Sequence, residues 1–115
     1  MRVTTDLWVS ALVRRVFSDG GFAAVIKRGA TEAGAIFILC RDRMGEITLY
    51  GPAPQASYDM AFPDERFFNR LAVKPDEEAV AARLEKEKRF DSDIWVVEIE
   101  PGRLPLQELV RLILT

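Results

Sequence analysis

Ala35-Ile36-Phe37-Ile38-Leu39-Cys40 is the longest uninterrupted apolar run in the chain. Turn signals bound it on both sides: Arg28-Gly29-Ala30-Thr31-Glu32-Ala33-Gly34 before it and Asp42-Arg43-Met44-Gly45 after it. Six consecutive apolar residues between turns predict a strand buried on both faces, because a half-buried strand alternates apolar with polar positions. Such a strand needs a neighbour on each edge and cover above and below. Phe22 to Arg28 has strand character on its N-terminal side, and Glu46-Ile47-Thr48-Leu49-Tyr50 alternates with period two on its C-terminal side. The three segments together predict an antiparallel meander.

Cover comes from the flanking segments. Thr5 is placed to cap a first helix and Asp6 to favour its positive end. Leu7, Trp8, Ala11, Leu12, Val16 and Phe17 recur at helical spacing, and Gly20-Gly21 stops the helix. Arg14 and Arg15 lie off that stripe. Beyond the meander, Arg66 to Val73 reads as a fourth strand with Phe67, Leu71 and Val73 on one face. Pro75 and the acids Asp76, Glu77 and Glu78 open a second helix with a thin apolar stripe of Val80, Ala81 and Leu84. Ile94 to Glu100 is a fifth strand, with Trp95, Val97 and Ile99 on one face and Ile94, Val96, Glu98 and Glu100 on the other. The fourth strand, second helix and fifth strand fit one right-handed crossover that makes those two strands parallel. Pro105 opens a last helix, with Leu106, Leu109, Val110 and Ile113 forming its stripe. Leu112 and Leu114 point away from the centre of that stripe. Two alternatives stay open for them: a sheet edge wraps the helix on two sides, or a second copy covers it in a homodimer.

The order is helix, three strands, a long loop, strand, helix, strand, helix. The prediction is an α+β fold, one domain over residues 1–115, with a mostly antiparallel five-stranded sheet and helices packed on it. A chain of 115 residues with 49% apolar and 30% charged residues is long enough and apolar enough for one such core. Sixteen basic against eighteen acidic residues leave a net charge of −2, which argues against a dedicated nucleic-acid binder. Neither a signal peptide nor the roughly 20 apolar residues that span a bilayer is read from the chain, so a cytoplasmic protein without a membrane partner is expected. The single cysteine, Cys40, fits that reducing compartment.

Chemistry is bounded by absences. With no histidine, the chain by itself offers neither Ser-His-Asp nor Cys-His catalysis, nor a zinc site with histidine ligands. One cysteine excludes a Cys₄ metal site. No GxxxxGK[ST] or GxGxxG loop is present, and no cofactor is read from the sequence. Cys40 ends an apolar run and faces away from Arg41, so it reads as a small core residue rather than a nucleophile. The remaining catalytic material is carboxylate: Asp59, Asp64 and Glu65 in the long loop, Asp91 and Asp93 before the fifth strand, Glu98 and Glu100 on its far face. Asp59, Asp64, Asp91 and Asp93 are weak metal candidates. Asp91-Ser92-Asp93 is not a calcium loop, since Val96 stands where that loop needs glycine. Turn and capping work accounts for Asp91 and Asp93, and a solvated strand face for the two glutamates.

The longest aperiodic stretch, Gly51 to Glu65, reads GPAPQASYDMAFPDE, and loops of that length in small domains are often functional. Tyr58 and Phe62 within it are candidate binding residues, as are the basic side chains Arg14, Arg15, Arg41 and Arg43, with Lys27 and Arg28 nearby. For each, pinning the loop to the core or solvating a hairpin tip is the simpler role. The leading function is a non-enzymatic binding or protein-interaction module with a protein or small-molecule partner. The rival is a small carboxylate- and magnesium-dependent enzyme acting on a phosphate-containing substrate held by the arginines. Convergence of three or more of the acids in one cleft separates the two.

Gly34-Ala35-Ile36-Phe37, followed after a turn by Thr48-Leu49-Tyr50-Gly51-Pro52-Ala53-Pro54, resembles the bacterial domain-of-unknown-function family numbered 1491. So do Leu7-Trp8-Val9 with Arg14-Arg15, and Asp91-x-Asp93-x-Trp95-Val96-Val97-Glu98. The resemblance covers nearly the whole chain and implies a small intracellular bacterial domain standing alone. It implies no activity, cofactor or catalytic residue.

Overall fold

The computed structural model describes residues 3–54, 66–73 and 76–113. Helix α1 (Thr5–Ser18) leads into strands β1 (Phe22–Lys27), β2 (Ile36–Arg41), β3 (Ile47–Pro52) and β4 (Phe67–Val73). Helix α2 (Glu77–Phe90), strand β5 (Trp95–Glu100), a single helical turn α3 (Leu106–Leu109) and strand β6 (Arg111–Ile113) follow. The six strands form one sheet in the order β1-β5-β2-β3-β4-β6.

The sheet has six strands rather than the expected five, and β1 does not join β2 and β3 in the expected three-strand meander. The sheet is mixed: β1 with β5, β2 with β3 and β3 with β4 are antiparallel, whereas β2 with β5 and β4 with β6 are parallel. Strand β5 has slipped between β1 and β2. The reason lies in its side chains, because Ile94, Trp95, Val96 and Val97 are all buried and so are Ile36, Phe37 and Ile38 of β2. Two strands apolar on both faces sit at the centre of a covered sheet, and β1, which exposes Phe22, Val25 and Ile26, takes an edge. Strands β4 and β5 do run in the same direction, but β2 and β3 lie between them, so the crossover through α2 spans two strands rather than joining neighbours.

Each sheet face carries its own core. Ile36, Ile38, Trp95, Val97, Ile99 and Phe68 pack beneath Val9, Leu12 and Val16 of α1 and Leu106, Leu109 and Val110 of the C-terminal segment. Phe37, Ile47, Leu49, Ile94 and Val96 pack beneath Val80 and Leu84 of α2. The buried stripe of α1 is Thr5-Val9-Leu12-Val16, rotated from the expected one, and Leu7, Ala11 and Phe17 face solvent. Its cap is Thr4, whose side chain accepts from the Leu7 N–H, while Thr5 is buried one position inside. Leu39 is half-buried rather than fully enclosed, Ala81 is exposed, and β4 turns Phe68 toward the α1 face while Leu71 packs against the α2-side core. The β2–β3 turn closes on Asp42, whose carboxylate accepts from Met44 and Glu46, with Gly45 at φ +83°.

The expected last helix ends after one turn. Val110 is extended at φ −135° and ψ 164°, and Arg111–Ile113 continue as a strand along β4. An open sheet edge offers main-chain hydrogen bonds that a short helix cannot match. Leu112 therefore pairs with Phe68 and packs against the α1-side core, so the surplus helical surface that suggested a homodimer is not formed there. Leu114, the other residue in that argument, lies outside the described residues.

Candidate functional site

A groove of about 450 Å³ opens where α1, from Trp8 to Arg15, meets the C-terminal segment and the residue before β4. Trp8, Arg15, Arg66, Gln107, Glu108, Leu109, Val110 and Arg111 line it. Arg15 lies off the buried stripe of α1 and reaches across to α3. Its Nη1 donates to the Leu109 carbonyl at 3.2 Å and its Nη2 to the Glu108 carbonyl at 3.2 Å. Carbonyls at a helical C-terminus lack partners within the turn, and a guanidinium satisfies two of them here.

Arg66 enters from the start of β4. Its Nη2 donates to the Val3 carbonyl at 3.0 Å and to Thr5 Oγ1 at 3.3 Å, and its guanidinium stands 5.7 Å from the Trp8 ring centre. Trp8 in turn lies 5.6 Å from the Phe68 ring. Arg111 opens β6 and is in register with Phe67, which brings it beside Arg66 through the β4–β6 ladder. Among the described residues the lining carries three guanidinium groups and one carboxylate, Glu108. Leu109 and Val110 are buried beneath it, while Arg15, Gln107, Glu108 and Arg111 are exposed along its rim.

The basic residues singled out in the sequence do not meet. Arg14 and Arg15 both lie on α1 and are exposed, but only Arg15 lines the groove. Arg41 is on the opposite face of the sheet, where it binds Glu77 at 2.8 Å and Glu98 at 3.2 Å. The hydrogen bonds to Glu98 and Glu77 hold its pKa above the ordinary arginine value. Arg43 is exposed in the β2–β3 turn. Lys27 donates to the carbonyls of Arg28, Ser92 and Ile94, and Arg28 pairs with Asp6 at 2.8 Å. Tyr58, Phe62, Asp59, Asp64 and Glu65 lie outside the described residues.

Among the described acids, Asp91 accepts from the Asp93 N–H at 2.9 Å, which is turn work. Glu98 serves Arg41, and Glu100 is exposed. Asp93 lies in the turn before β5, whereas Glu98 is on the strand itself. Among the described residues no group of three His, Cys, Asp or Glu side chains could hold a metal ion.

Cys40 packs against the α1-side core, on the face away from Arg41. Burial, and secondarily the charge of Asp42, push its thiol up to about 11. The neutral thiol is therefore the native form at pH 8, and iodoacetamide should modify Cys40 slowly in the native protein and rapidly in urea. The linkage has a definite sign. A raised native pKa contributes stability that is full below the ordinary thiol value of 9.0 and is lost as pH rises toward about 11. Urea midpoints of wild type and Cys40→Ala should therefore converge or cross between those pH values. Parallel curves across that window would show that the thiol is not sequestered.

Sequence reasoning missed Trp8, Arg66, Gln107 and Arg111 as site residues. Arg66 directly follows the long loop, which was a usable signal. Arg111 was hidden by the helical reading of its segment, because a strand is needed to set it beside Arg66.

A family model described as a protein of unknown function (DUF1491) matches residues 3–104. The chain is 49% identical to protein Atu0922 from A. tumefaciens, known from a solution structure, over 100% of this chain and 98% of that one, with a TM-score of 0.83. A DUF1491 family protein from Caulobacter crescentus CB15 is similar in its crystal structure, at 37% identity over 87% of this chain and 88% of that one, with a TM-score of 0.71. An NMR structure of a DUF1491 family protein from the same bacterium shares 32% identity over 99% of each chain, with a TM-score of 0.78. No curated protein matches. No helix among the described residues is long and apolar enough to cross a membrane.

Proposed function

The chain belongs to the DUF1491 family, and from that premise we propose that it is a non-enzymatic binding module whose recognition surface is the groove between α1 and the C-terminal segment. One observation carries the reading: Arg15, Arg66 and Arg111 arrive from three separate elements and line a single groove beside an indole and two buried aliphatic side chains. Guanidinium forks and aromatic surface are the groups that most often anchor partners. Catalysis asks for a positioned nucleophile or acid–base pair at the same place, and among the described residues the lining has one carboxylate, the exposed Glu108.

The proposed setting is the cytoplasm, whose reducing conditions suit one unpaired thiol. The proposed partner is a different molecule, a protein or a small molecule.

Affinity capture from an extract of the native cells tests the reading, with proteins and metabolites identified by mass spectrometry. The comparison is wild type against an Arg15→Gln/Arg111→Gln double variant shown by circular dichroism to be folded. A species retained by wild type and lost by the variant supports the groove. Equal retention by both removes the groove from the function.

A further inference from the structure

Strand β1 forms the edge of the sheet opposite to β6, away from the groove, and its side chains leave that edge unguarded. We propose that a second copy of this chain covers it: β1 pairs antiparallel with β1 of the partner subunit about a twofold axis at Ala24, so that two sheets become one.

The edge is open in its backbone and in its side chains. Among the described residues β1 pairs with β5 alone, which leaves the main-chain groups along its outer side without a strand to bond. Phe22 is 46% exposed, Val25 36% and Ile26 58%. Phe17, 51% exposed at the end of α1, extends the patch, with its ring 5.7 Å from that of Phe22. Edge strands are ordinarily protected by outward-pointing charges. The one charged residue of β1, Lys27, turns inward and donates to the carbonyls of Arg28, Ser92 and Ile94.

The sequence of the strand selects what covers it. In a symmetric antiparallel pair the residue on the axis meets itself, and residues equally spaced on either side meet each other. Phe22-Ala23-Ala24-Val25-Ile26 is self-complementary under that operation. With the small Ala24 on the axis, Phe22 stands opposite Ile26 of the partner subunit and Ala23 opposite Val25 of the partner subunit, and symmetry repeats both pairs. Aromatic against β-branched is a favoured cross-strand pair. No like charges face each other, because Lys27 of the partner subunit falls opposite Gly21. Moving the axis to Ala23 or Val25 sets Phe22 opposite Ala24 or Arg28 and loses the match. The register shift between Val25 and Lys27 ends the regular run, so the pairing stops after Ile26. Two copies joined this way use both β1 edges and leave the three-residue β6 at each outer margin, too short to recruit further chains.

Sedimentation equilibrium at tens of micromolar should show a dimer for wild type. Ile26→Lys, shown by circular dichroism to be folded, should raise the dissociation constant at least about tenfold, because each substitution counts twice in a symmetric pair. Cysteine cross-linking in the Cys40→Ala background, with diamide as the oxidant, reads the register. Opposed Cα atoms in an antiparallel pair lie about 4.5–5.5 Å apart, within reach of a disulfide. Ala24→Cys should therefore give a disulfide-linked dimer. Phe22→Cys should not, since its two copies are offset by four residues, roughly 13 Å at strand rise.

A wild type that stays monomeric overturns the second copy as occupant and leaves the edge to a strand of another protein. A dimer that Ile26→Lys does not weaken overturns the surface, and cross-linking at residue 22 in place of residue 24 overturns the register. None of these outcomes bears on the groove at the other edge.

Discussion

Trp95→Ala will lose about 3–5 kcal/mol of folding stability, a large fraction of what a marginally stable domain has. Trp95 is 0% exposed in the α1-side core, and its indole N–H donates to the Ala30 carbonyl at 2.8 Å. The Arg28 guanidinium sits 4.9 Å from the ring centre on its outer side. Gly34 is shaped to the same ring, since a Cβ there would meet the indole at 2.7 Å and the Asp93 carbonyl at 2.5 Å. Truncation therefore leaves a cavity and removes both the partner of the Ala30 carbonyl and the ring beneath the Arg28 guanidinium. Trp95→Phe keeps much of the volume and loses the hydrogen bond, so it should fall between wild type and alanine. Urea denaturation followed by circular dichroism measures both. A loss below about 1 kcal/mol for the alanine variant would place β5 at the sheet's margin, contrary to its central position.

Trp95 also shows how far the sequence could be read. The alternation that puts Trp95, Val97 and Ile99 on one face of β5 and Ile94, Val96 and Glu98 on the other is a local property, and it is what the structure has. The same holds for β2, whose apolar run is buried from Ile36 to Phe37 to Ile38. Strand order is not local. Nothing within Phe22–Lys27 or Ile36–Arg41 announces that a strand more than fifty residues downstream will come between them. The burial argument was nevertheless available: two strands apolar on both faces compete for the centre, and β1, with Lys27 in its last position, does not.

The candidate site was less legible for a related reason. Its residues come from α1, from the residue before β4, and from the chain after Pro105, three places that meet only after the C-terminal segment abandons its helix. Helical spacing of Leu106, Leu109, Val110 and Ile113 was real in sequence, yet Val110 and Ile113 are β-branched residues that suit the strand they join or precede. Once β6 pairs with β4, Arg111 stands in register with Phe67, and the groove acquires its third cation. Arg15 alone was legible, as a basic side chain off the buried stripe of α1.

On the opposite face of the sheet, Phe37→Ala will cost a comparable ~3–5 kcal/mol. Phe37 is 6% exposed and shares its cluster with Ile47, Leu49, Ile94 and Val96 under α2. That helix buries only Val80 and Leu84, a narrow contact with the sheet. Its own composition helps it, through the Asp76 cap on the Ala79 N–H and the pairs Arg83–Glu87 and Lys88–Glu85, but exposed pairs of this kind are worth little. Tertiary packing must hold α2 down, so hydrogen exchange in the Phe37→Ala variant should rise across Glu77–Phe90 before it rises in α1. Gly51 supplies an internal control. A Cβ there would meet Phe37 at 3.0 Å and the end of Leu71 at 2.6 Å, so Gly51→Ala overpacks the wild-type face. With Phe37 truncated, Leu71 has room to move aside. The two substitutions together should then cost less than their sum by at least about 0.5 kcal/mol in a double-mutant cycle. Strict additivity would mean that Phe37 and Gly51 do not share the contact, and with it the packing of β2 against β3 on the α2 side would have to be redrawn.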